Sequence, residues 1–89
     1  MKTYLIGYDL NRPPQDYRGL IDAIKKFPVA WQHLASAWIV KTDWSAKQVR
    51  DHVKGSIDST DKLLVLELTG EGAWAGLSDE AIDWLVENL

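Results

Sequence analysis

The first residues in this chain with chemistry to offer are Asp9 and Arg12. The apolar run LIGY stops at Asp9, and DLNRPP follows. A carboxylate at the C-terminal end of a strand projects into the rim where α/β proteins often hold ligands. There it could ligate Mg²⁺, which takes one or two carboxylates plus waters and phosphate oxygens. The competing role is that of a turn aspartate accepting a nearby amide, and this is the commoner use of Asp before a Pro-containing turn. Arg12 could grip a phosphate bidentately. As an ordinary loop arginine it would be a solvated charge or pair with Asp16.

A second group lies further on. Lys47, Arg50 and Lys54 recur at helical spacing. They share a face roughly opposite Val49 and Val53. Such a stripe suits phosphate-backbone contact, and it equally suits a solvated helix face. His33 and His52 fall in different segments, and no D-x-D, E-x-x-H or H-x-H spacing is present. Ser36 lacks a nucleophile-elbow context. GEGAWAG has glycines but not the strand-turn-helix setting of a nucleotide loop. The tryptophans could stack on bases, although Trp31 and Trp38 suit a core and an interface better.

Bulk properties narrow the classes. At 89 residues the chain is one small domain, residues 1–89. It has no cysteine, which leaves no disulfide or thiolate metal site. The net charge of −3 argues against a general polyanion binder while permitting a local basic stripe. No apolar run reaches membrane-span length, so no membrane association is expected. The opening MKTYLIGYDL runs into a charged turn without a small-residue cleavage site, so a cytoplasmic location is expected. Five tryptophans are many for one small core, and self-association is the first expectation.

These residues need elements to position them. Lys2 to Asp9 predicts a central strand. Tyr17, Leu20, Ile21 and Ile24 predict a helix from about Gln15 to Lys26, stopped by Pro28. VAWQHLASAWIVKT, Val29 to Thr42, predicts one bent strand or a tight pair, with Ala35, Ser36 and Ala37 allowing the bend. Ser45 and Gln48 form a capping-box pattern, with Trp44 and Val49 as a staple, and that helix ends near Gly55. DSTD is a turn, and KLLVLELT, Lys62 to Thr69, is a second buried-type strand. Ser78 caps a last helix with Ile82, Leu85, Val86 and Leu89 as its apolar stripe. The order β-α-β-β-α-β with an additional C-terminal helix predicts an α+β, ferredoxin-like sandwich. Its open sheet face would need a partner or the last helix.

In that order the segments resemble the small CRISPR-associated Cas-two family and its relatives outside CRISPR loci, among them VapD-type toxins and short bacterial proteins labelled SinR family. Strand one ends in YDL, Tyr8 to Leu10, similar to that family's Y-D-[IL]. SAWIV, Ser36 to Val40, is similar to its S-V-F segment. DSTDKLLVLELT, Asp58 to Thr69, is similar to its D-x-x-D-x-[VL] run. The resemblance implies a ferredoxin-like homodimer. It also implies that Asp9 matches the family's strand-one aspartate, proposed as a metal-binding nuclease residue at the dimer axis. This chain departs from the family pattern at Leu34, where a glutamine is usual. It also keeps only Arg12 among the bases after the aspartate, and its Gly- and Trp-rich tail ends in a helix.

The expected function is a Cas-two-like homodimeric adaptor, non-catalytic, that binds RNA, DNA or a protein. Arg12, Lys47, Arg50 and Lys54 are its candidate nucleic-acid contacts. The first alternative is a Mg²⁺-dependent endonuclease in which Asp9 of both protomers is metal ligand and catalytic residue. The second is a protein-only interaction module using a Trp-rich face.

Overall fold

The computed structural model describes residues 1–11 and 17–89. Among these the chain forms β1 (Lys2–Asp9), α1 (Arg18–Lys25), β2 (Val29–Leu34), β3 (Ala37–Thr42), α2 (Ala46–Lys54), β4 (Lys62–Leu68) and α3 (Asp79–Asn88). The strands make one sheet in the order β2-β3-β1-β4, and every neighbouring pair is antiparallel. Each helical crossover skips a strand: β3 lies between β1 and β2, and β1 lies between β3 and β4. The chain is thus an α+β protein with a four-stranded antiparallel sheet, compatible with the ferredoxin-like sandwich expected from the segment order.

Alternation along β1 sorts the two faces. Tyr4 and Ile6 are fully buried and pack with Leu20, Ile24, Val49 and Val53, so α1 and α2 share one face of the sheet. Trp38 and Val40 of β3 belong to the same core. Thr3, Leu5, Gly7 and Asp9 alternate to the other face. There α3 covers part of the sheet: Thr3 Oγ1 donates to the Asn88 carbonyl, and Trp84 stacks on Trp31 of β2 with centroids 4.7 Å apart. The open face is therefore closed, in part, by the chain's own last helix. Of the five tryptophans, Trp38 is buried, Trp31 and Trp84 are half-buried in their stack, and Trp44 and Trp74 stay exposed.

Val29 to Thr42 is a pair of strands. Leu34 and Ala37 close the hairpin across Ala35 and Ser36, with a register shift between Trp31 and Leu34. Neither turn residue adopts positive φ. Short hairpin turns that match the strand twist normally need positive φ. A bulge beside the turn adds twist by another route.

Helix boundaries follow their caps. Ser45 and Gln48 form the full capping box expected of them, with Gln48 N–H donating to Ser45 Oγ at 3.2 Å and Ser45 N–H to Gln48 Oε1 at 2.8 Å. Gly55 closes α2 at φ −64°, so the left-handed freedom of glycine is not used there. It is used at Gly70, φ 108°, where the chain leaves β4. Ser78 caps α3 through the Ala81 amide. The buried residues of α3 are Ala81 and Leu85, and Val86 points to solvent at 68% exposure. Ala81 lies in the first turn of α3, where its amide donates to the Ser78 cap.

Candidate functional site

Asp9 ends β1, is exposed, and lies opposite Lys62 of β4. None of the hydrogen bonds or ion pairs among the described residues involves its carboxylate. The turn chemistry open to Asp9 is performed instead by Asp61. Asp61 Oδ1 accepts the Asn11 amide at 2.9 Å, and its Oδ2 accepts the Asp58 amide at 2.8 Å. The Tyr17 hydroxyl lies 3.0 and 3.1 Å from the two oxygens. Asn11 Nδ2 adds a bond to the Thr60 carbonyl at 2.8 Å. One carboxylate thus ties the end of β1, the start of α1 and the turn before β4 together. The D-x-x-D spacing signals a turn, but its reach across some 50 residues to Asn11 has no local signature.

Beside Asp9 is a cavity of about 350 Å³, lined by Tyr8, Tyr17, Leu20, Gln32 and Ser36 among others. The hairpin turn forms one wall, held to β1 by the bond from the Tyr8 amide to the Ser36 carbonyl at 3.1 Å. The Tyr8 hydroxyl accepts from Trp38 Nε1 at 3.1 Å. Among the described residues no group of three His, Cys, Asp or Glu side chains is placed to hold a metal. Asp61 is engaged as a clasp, whereas Asp9 makes no hydrogen bond or ion pair among the described residues. Arg12 lies outside the described residues.

Lys47, Arg50 and Lys54 are all exposed on α2, while Val49 and Val53 behind them are fully buried. The shared face read from the spacing is thus present. Arg50 is also engaged: its Nη2 donates to Asp51 Oδ1 at 2.8 Å and its Nε at 3.1 Å. That hydrogen bond, opposed by desolvation and helped by the charges of Arg50, Lys47 and Lys54, holds the Asp51 carboxyl below its ordinary value. Lys47 and Arg50 also line a groove with Leu63, Leu64 and Val65 of β4. The stripe therefore borders an edge strand, which spacing along α2 could not reveal.

His52 is half-buried, with Nε2 3.0 Å from the Ala23 carbonyl. Its ring meets Phe27 and Trp44 edge-on at 5.5 and 5.4 Å. It is a packing residue joining α1 to α2. His33 is exposed and lies against Trp31 with centroids 4.6 Å apart. No described helix is long and apolar enough to cross a membrane. In comparisons with known proteins, no family model and no solved structure matches this chain.

Proposed function

We propose that this protein is a Cas-two-like, ferredoxin-like homodimeric adaptor that binds nucleic acid through the α2 stripe without cutting it. The observation that carries this reading is the set Lys47, Arg50 and Lys54, exposed together on a helix whose other face is anchored in the core. A rigid helix holding cations outward is suited to phosphate contacts, which position a duplex or strand without reading its sequence. The strand order supports the ferredoxin-like assignment, and the order of YDL, SAWIV and DSTDKLLVLELT supports the resemblance. A protein ligand on the same surface is the corresponding protein-binding form of the adaptor.

One observation favours a second reading. The exposed Asp9 carboxylate, uncommitted among the described residues and beside a cavity, is available as a ligand once another chain adds its own. In that reading Asp9 of both protomers serves a Mg²⁺-dependent endonuclease.

Two variants separate the readings. Replacing Lys47, Arg50 and Lys54 together with Ala should weaken RNA or DNA binding and flatten its salt dependence by about one unit of slope per lost phosphate contact. Unchanged affinity would end the stripe assignment. Asp9→Asn should leave binding as it was, because Asn keeps the shape and loses only the charge. Chelator-sensitive cleavage by the parent, absent from folded Asp9→Asn, would replace the adaptor with the endonuclease.

A further inference from the structure

The two edges of the sheet are built differently. β2 carries the register shift between Trp31 and Leu34, and Trp31 lies under Trp84. A bulge of this kind blunts an edge against further pairing. β4 has no such device. Its register against β1 runs unbroken from Thr3↔Leu68 to Asp9↔Lys62, and it contains no proline. Among the described residues no strand neighbours its outer side, which is a row of backbone donors and acceptors and a template for another strand. On the sheet face opposite α1 and α2, Leu64 and Leu66 stand 52% and 48% exposed.

We propose that β4 pairs antiparallel with β4 of a second copy about a two-fold axis through Val65, extending the sheet across both subunits. The proposal rests on the homodimeric reading above and supplies its interface. The occupant is a second copy because the edge is complementary to itself. With Val65 on the axis, all 7 residues of β4 are paired. Leu64 then lies opposite Leu66 of the second copy, and Leu66 opposite its Leu64, so exposed leucines cover one another on one face. On the other face Glu67 comes opposite Leu63 of the second copy. Leu63 is where Lys47 and Arg50 line the groove. Each subunit thus brings a carboxylate to the other's cations. Moving the axis to Leu64 would instead set Asp61 opposite Glu67, like charge against like. Moving it to Leu66 would leave Lys62 and Leu63 unpaired.

This dimer does not share Asp9. Each Asp9 sits one strand inside the seam, opposite Lys62. Strand spacing and rise put the two carboxylates about 25 Å apart, which is too far for one ion.

The test uses single introduced thiols in the full chain, which has no cysteine of its own. Under mild oxidation Val65→Cys should cross-link to a covalent dimer, because residues on the axis face each other directly, while Asp9→Cys should not. Leu66→Lys, at an exposed position, should raise the dimer dissociation constant in sedimentation by at least about tenfold. Glu67→Lys should raise it about tenfold, and Lys47→Glu in the same chain should recover most of that loss. Cross-linking by Asp9→Cys but not by Val65→Cys would overturn the edge pairing and leave the adaptor standing. A linked Val65→Cys dimer with no affinity for RNA or DNA would keep the edge and remove nucleic-acid binding. A parent that sediments as a monomer at about 100 μM, or as an open-ended series of aggregates, would overturn the closed dimer.

Discussion

Asp61, more than Asp9, holds the rim of the sheet together. A carboxylate accepting two amides and a phenol is costly to remove, since the Tyr17 hydroxyl and the Asp58 amide are left in part-buried sites without that partner. Asp61→Ala should therefore destabilise the fold by about 2–3 kcal/mol, read as a fall in the urea midpoint with little change in slope. Asp9→Asn should leave the unfolding free energy within about 0.5 kcal/mol, as expected of a surface position away from such networks. A large loss at Asp9 and none at Asp61 would reverse the assignment of clasp and uncommitted carboxylate. The same contrast applies among the cations. Arg50 is committed to Asp51, although both side chains are about half-exposed.

At the scale of elements, α2 matters most, because it carries the stripe and borders the β4 edge. Its position depends on Val49 and Val53 behind and on the capping box in front. Ser45 satisfies the Gln48 amide at the helix start, and Gln48 returns the bond. Ser45→Ala should cost about 1 kcal/mol in chemical denaturation, and Ser45→Gly less. Trp44, beside the cap, is 41% exposed, yet its ring packs edge-on against Phe27 at 5.6 Å and against His52. Its carbonyl accepts from the Tyr4 hydroxyl at 2.6 Å. The entry of α2 is thereby tied both to the end of α1 and to the central strand, so its cations project from a fixed frame.

At the scale of the whole molecule, α3 sets how much of the second sheet face remains open. It seats Leu85 and Leu89 over a cavity of about 230 Å³ shared with Leu5, Ile39, Leu68 and Trp74. The Trp31–Trp84 stack, nearly parallel at 8°, closes the β2 side. Trp84→Ala should lower stability by about 2 kcal/mol through lost ring burial and stacking, and native-state hydrogen exchange should quicken first in α3. Uniform exchange across the chain would mean that α3 and the sheet open together. Towards β4 the cover stops, and Leu64 and Leu66 are left exposed. Partial cover on one side and a bare edge on the other are what direct the proposed second copy to β4.

Local chemistry was enough to read most of the elements. The apolar run into Asp9 predicts β1 with its observed bounds, and Ser45 with Gln48 predicts the α2 cap, because strand alternation and amide capping act over a few residues. The spacing of Lys47, Arg50 and Lys54 likewise settles that they share a face. Sequence spacing left open whether Val29 to Thr42 bends or pairs, since Ala35 and Ser36 permit both until β1 lies beside β3. It also placed Val86 in the stripe of α3, whereas the residues that tertiary packing buries there are Ala81 and Leu85. The partner of the Asn11 amide is likewise a tertiary matter, for Asp61 reaches it only once β4 lies against β1. So is the meeting of the α2 cations with the free edge of β4: they come from segments apart in the chain, and only the order β2-β3-β1-β4 sets α2 over an edge rather than over the middle of the sheet.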